Sequence, residues 1–114
     1  MSDKPILDHQ IFTELKDATG EDFAAELVNT FLEEAPGMIG DLKDALAASD
    51  ADGYRRAAHS IKSNAHTFGA TALAELAKKM ELGALPAADD LSDATQLEAA
   101  LTKAGTALRS LIDD

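Results

Sequence analysis

The chain has 114 residues, enough for one domain with a true apolar core and too few for two. It has no cysteine, which excludes thiolate catalysis, disulfides and thiolate zinc sites. Twenty-one acids against ten bases give a net charge of −11, a field that repels nucleic-acid phosphates and anionic lipid surfaces.

No apolar run approaches the roughly 20 residues of a membrane span, and Met1-Ser2-Asp3-Lys4-Pro5 lacks the apolar stretch of a secretory signal. The expectation is a single cytoplasmic domain over residues 1–114, with neither nucleic acid nor membrane as a partner. Alanine supplies roughly a fifth of the residues, far above ordinary usage, and alanine, leucine, glutamate and lysine together favour helix. No run of β-branched residues alternates with polar ones between turn signals, so no strand is predicted.

The first predicted helix is short, from Asp8 to Thr19, with Ile11, Phe12 and Leu15 on one side and Gly20 as its stop. Those three residues either cover one end of the fold or form part of a docking surface; covering is the simpler expectation. Glu21 and Asp22 suit the first turn of a second helix, where the helix dipole favours acids. Its apolar positions are Phe23, Leu27, Phe31, Met38, Leu42, Ala45 and Leu46, at three- and four-residue steps. Pro36-Gly37 predicts a kink or break, because proline removes a backbone donor, with the helix resuming to Ala48.

Ser49 to Gly53 reads as a turn and cap, and a third helix follows from about Asp52 to Phe68, ended by Gly69. A fourth runs from Thr71 to Leu82 with Leu73, Leu76, Ala77 and Met80 on one face, closed by Gly83 and Pro86. The last starts near Asp89–Asp93 and carries Leu97, Leu101, Ala104, Leu108, Leu111 and Ile112. Short connections make successive helices antiparallel neighbours. The predicted fold is all-α: an up-down-up-down four-helix bundle with a short additional N-terminal helix laid across it.

The third helix is the informative one. At about 100° per residue, Asp52, Arg55, Arg56, Lys62, Ser63 and His66 lie within about 60° of His59. Tyr54, Ala57, Ala58, Ile61, Ala65 and Phe68 lie opposite, with Asn64 among or beside them. His59 therefore points to solvent within a polar, locally basic strip. Five of the ten bases fall between Arg55 and Lys79, and such a patch in an acidic chain fits an anion, commonly phosphate. The plainer reading is the solvated face of an amphipathic helix.

His59 and His66 are about 10.5 Å apart along the helix, too far for one ion with bonds of about 2 Å. Neither has a partner three or four residues away, and His9 is remote, so no metal site is expected. His66 reads as a surface or helix-end residue. No glycine-rich nucleotide loop and no Gly-x-Ser-x-Gly turn is present.

Ala58-His59-Ser60-Ile61-Lys62-Ser63-Asn64, followed by Phe68-Gly69-Ala70 and by Leu73, Leu76 and Glu81 on the next helix, resembles the signature of histidine-containing phosphotransfer (HPt) domains. These relay phosphoryl groups in two-component systems, and the expected bundle and chain length agree. The resemblance implies that His59 is the phosphoacceptor and that Lys62, one turn on, helps hold the phosphoryl group. Arg55 and Arg56 would stand behind Lys62. Ser63 occupies a position that is often glycine in the family. Sensor kinases also carry a phosphorylated histidine, but on a dimerising helical hairpin followed by an ATP-binding domain, which is not expected within these 114 residues.

The implied function is that of a monomeric phosphocarrier without its own kinase activity. It would take the group from a phosphoaspartate and pass it to another aspartate. Its partners would be response-regulator receiver domains and a hybrid sensor kinase. No cofactor is expected, and Mg2+ would come with the receiver. A neutral imidazole is a competent nucleophile near neutral pH, and a nearby cation stabilises the charge spread over the phosphoryl oxygens.

In an antiparallel hairpin centred near Gly69, His59 and Glu81 are about equally far from the turn. Glu81 could accept a hydrogen bond from one ring nitrogen of His59 and leave the other lone pair outward. The competing expectation is a surface glutamate paired with Lys78 or with water. Asn64 could steady the site from behind. Two further readings stay open: a helical adaptor that binds signalling partners without phosphotransfer, and a metal or haem bundle.

Overall fold

The computed structural model describes residues 5–112. The Asp8 carboxylate accepts the backbone N–H groups of Gln10 and Ile11 at 3.0 and 3.4 Å and so opens α1 (His9–Thr19). Gly20, at a φ of +94°, turns the chain directly into α2 (Glu21–Ala47), which has Glu21 and Asp22 in its first turn. Asp50 accepts the N–H of Gly53 at 3.0 Å at the head of α3 (Ala51–Phe68). Gly69 ends α3 in the left-handed conformation, and α4 (Thr71–Leu82) follows at once. Asp90 accepts both the N–H and the hydroxyl of Ser92 just before α5 (Ser92–Ile112), which holds its carboxyl below the ordinary aspartate range.

The predicted interruption at Pro36 does not break the helix. α2 is continuous over 27 residues with Pro36 inside it. Proline removes only the bond its own N–H would make to Leu32. The turns on either side are held against the bundle by the buried Phe31, Ala35, Ile39 and Leu42.

α2 packs on α3 and α5, and α4 also packs on α3 and α5, which closes a four-helix bundle. The short connections make neighbours antiparallel, and α1 lies against α2 and α3. Phe12 is buried while Ile11 and Leu15 are half-buried, so this face of α1 covers the bundle. Val28, Leu42, Leu46, Tyr54, Ile61, Leu73, Leu97 and Leu108 are the largest fully enclosed side chains. Phe31 stacks on Phe68 with ring centroids 5.2 Å apart.

One expected core position is wrong. Phe23 is 51 % exposed, and the buried stripe of α2 runs through Ala24, Val28, Phe31, Ala35, Ile39 and Leu42. Phe23 sits one position ahead of that stripe, about 100° around the helix.

The α3–α4 seam is the most extensive in the fold. Ala58 and Ala65 on α3, Ala70 in the turn, and Ala74 and Ala77 on α4 are all buried, and small side chains let the two backbones approach closely. α4 has no side-chain cap. The Pro5 carbonyl instead accepts the Ala72 N–H at 3.0 Å and the Thr71 hydroxyl at 2.7 Å. The Asp8 N–H donates to the Gly69 carbonyl at 2.7 Å. The segment ahead of α1 thus straps the α3–α4 turn. Among the described residues no helix is long and apolar enough to cross a membrane.

Candidate functional site

The strapped hairpin sets the register between α3 and α4, and so decides which side chains meet across the seam. His59 Nδ1 lies 2.9 Å from Oε2 of Glu81, twenty-two residues further along the chain. The other oxygen of the same carboxylate, Oε1, is 2.6 Å from Lys62 Nζ. One carboxylate from α4 therefore grips two residues of α3 that are one helical turn apart.

The three side chains differ in exposure. The His59 side chain is 57 % accessible, whereas those of Lys62 and Glu81 are 22 % and 19 % accessible. Glu81 Oε1 is shielded from solvent, and Lys62 meets it as an ion pair rather than a well-angled hydrogen bond. Lys62, followed by His59, holds the Glu81 carboxyl below the ordinary glutamate range, against a partial desolvation that acts the other way. With Nδ1 engaged, His59 Nε2 has no hydrogen-bond partner among the described residues. Because a carboxylate accepts, the contact assigns a proton to Nδ1, and in the neutral ring Nε2 then carries the lone pair.

Beside the ring is a shallow, open depression lined by Arg55, Arg56, His59, Ser60 and Glu81. Arg55 and Arg56 border the open space next to His59, while Lys62 is turned toward Glu81. Ser63 is exposed on the turn beyond Lys62, its carbonyl accepting the Thr67 hydroxyl. Asn64 does not join the cluster; its amide donates to the Ser60 carbonyl at 2.9 Å within the same helix. His66 is exposed in the last turn of α3. Gly69 is buried at the turn and contributes by fixing the hairpin. Lys78, the alternative partner of Glu81, forms no ion pair among the described residues.

The link between Glu81 and Lys62 was not read from the sequence. Nineteen positions separate them, and only the hairpin register carries that signal. Among the described residues no group of three histidine, cysteine, aspartate or glutamate side chains is placed to hold a metal ion.

An exposed helical histidine backed by a carboxylate and flanked by cations, on a four-helix bundle, is an arrangement suited to phosphoryl transfer. The Hpt domain model matches residues 26–110, and the chain belongs to the histidine-containing phosphotransfer domain family. It is similar to the crystal structure of histidine-containing phosphotransfer protein B (HptB) from Pseudomonas aeruginosa PAO1, with a TM-score of 0.73 and 29 % identity. That likeness covers 96 % of this chain and 92 % of the other. It is also 26 % identical, over its whole length, to Multistep phosphorelay regulator 1 of Schizosaccharomyces pombe. The chain spans about 40 % of the length of that relative.

Proposed function

We propose that the protein is a phosphorelay intermediate whose phosphoacceptor is His59. The observation that carries this reading is the His59–Glu81 contact, with Nδ1 bound to a carboxylate and Nε2 left free on an exposed ring. The Nε2 lone pair attacks the phosphorus of a phosphoaspartate in a receiver domain. The P–O bond breaks, and the aspartate leaves as a carboxylate. The same steps in reverse deliver the group to a second receiver.

Arg55, Arg56 and Lys62 supply positive charge for the three phosphoryl oxygens. Glu81 is a positioning residue that holds the ring and its tautomer. The receiver domains bring the Mg2+ that the reaction uses, one of them belonging to a hybrid sensor kinase. The protein acts as a monomeric carrier in the cytoplasm and has no kinase activity of its own. Family membership and the likeness to HptB support this reading.

The test is phosphotransfer from a panel of phosphorylated receiver domains that includes the cognate donor, comparing wild type with His59→Gln. Acid-labile, alkali-stable label on the wild type alone is the expected result. Label on both proteins moves the acceptor elsewhere, with His66 next in line. No label on either, with partner binding retained, replaces the reading by that of a helical adaptor.

A further inference from the structure

Accepting the phosphoryl group changes what the Glu81 contact does. When Nε2 bonds to phosphorus, the proton on Nδ1 stays, and the ring becomes a cation. When the group moves on, the Nε2–P bond breaks and its electron pair returns to Nε2. If Nδ1 still holds its proton, the leaving group is a neutral imidazole. If that proton has been lost, the leaving group is an imidazolate anion, which leaves far less readily. The proton on Nδ1 is therefore a control on the lability of the phosphorylated state, and the structure puts a carboxylate 2.9 Å from it.

We propose that the negative charge of Glu81 keeps Nδ1 of phosphorylated His59 protonated, and so sets how readily the phosphoryl group is passed on. The inference rests on His59 being the phosphoacceptor, and it concerns the product side of the reaction rather than the orientation of the free ring. The surrounding charges make the role specific to Glu81. Arg55 and Arg56 line the same depression and oppose a cationic ring. Lys62 sits on the far oxygen of Glu81 and withdraws part of its charge. From α2, Asp41 lines the adjoining depression with Arg56 and Ser60. α1 meets α3 near the Gly69 end, through Asp8 and Ile11. Among these groups Glu81 alone forms a hydrogen bond to the ring.

Glu81→Gln separates charge from contact, since the amide oxygen can still accept from Nδ1. The experiment loads wild type, Glu81→Gln and Lys62→Met with phosphoramidate, a small phosphodonor that needs no receiver. Phosphorus NMR then records which ring nitrogen is modified and how fast the group is lost to water from acid to mildly alkaline pH. The pH at which loss slows should move down by about one unit in Glu81→Gln, giving roughly tenfold slower loss on the alkaline side. In Lys62→Met the same midpoint should move up, because the carboxylate no longer shares its charge.

Superimposable pH profiles for wild type and Glu81→Gln overturn the inference, as does a shift of the opposite sign. Modification at Nδ1 overturns it too, since that nitrogen would then carry no proton. A wild type that takes no label on His59 sinks the phosphoacceptor reading itself, a failure distinct from unchanged profiles. Matching circular dichroism for the three proteins, each folded at the temperature of the assay, ties any shift to the site.

Discussion

His59 and Glu81 lie on different helices, yet Nδ1 and Oε2 are 2.9 Å apart because both residues count back to the same glycine turn. The contact crosses the most extensive seam of the bundle. The 2.6 Å ion pair from the same carboxylate to Lys62 makes a three-residue cluster from two helices. Its properties can be tested one residue at a time.

Lys62→Met should slow phosphotransfer to His59 by about tenfold to a hundredfold, less than the loss of a fully committed electrostatic donor, because Lys62 is shared with Glu81. The fold should survive, because the replaced stem remains apolar. Transfer kinetics with one receiver domain measure it, and an unchanged rate would leave Arg55 and Arg56 as the working cations.

Glu81 adds an acid-dependent element to stability. Its folded-state pKa is depressed by Lys62 and His59, so its stabilisation is present above the unfolded-state value and disappears as pH falls through the folded one. Wild type should therefore exceed Glu81→Gln in stability at neutral pH, and the gap should close in acid. Urea unfolding of both proteins across that range checks the sign.

Gly69→Ala should destabilise the fold by about 1–3 kcal/mol. Gly69 has a φ of +76°, and a Cβ there would lie 2.6 Å from the Asp8 carbonyl oxygen. The methyl group would push against the strap that sets the hairpin register. Denaturant unfolding reads the loss, and slower labelling of His59 would show that the register matters to the site.

Pro36→Ala should stabilise the protein by up to about 3 kcal/mol, since it restores a backbone donor in the middle of a continuous helix. Pro36 is exposed, so little packing is lost. A lower melting temperature would mean that α2 needs the proline geometry.

Tyr54, the chain's one tyrosine, gives an alkaline counterpart. Burial first, then the charges of Asp93 and Asp90, push its phenol above the ordinary value. A raised folded-state pKa means stability is full below the unfolded value of about 10 and falls as pH rises through the folded one. Phenolate absorbance should titrate late in the native protein, and unfolding in alkali should bring it back to the ordinary range.

Helix positions and types were legible in the residues because caps and periodicity are local. Asp8 and Asp50 cap their helices, Gly20 and Gly69 end them, and α4 runs from Thr71 to Leu82 as its apolar spacing predicts. Of the kink or break expected at Pro36, the break does not occur, because its local cost is outweighed by packing on both sides, which no local pattern reports. Phe23 was misread because a loose apolar spacing admits two stripes one residue apart, and only the neighbouring helices choose between them.

The same division holds at the site. His59 on a polar, basic face follows from helical geometry, and the motif around it resembles that of phosphotransfer domains. Which oxygen of Glu81 meets which partner, the partial burial of Lys62, and the exposure of Arg55 and Arg56 beside the ring were decided by the α3–α4 register. That register depends on buried alanines, one left-handed glycine and a strap from the segment before α1. Helical periodicity acts over a few residues and can be read along the chain, whereas contacts over nineteen or more positions exist only once the helices have packed.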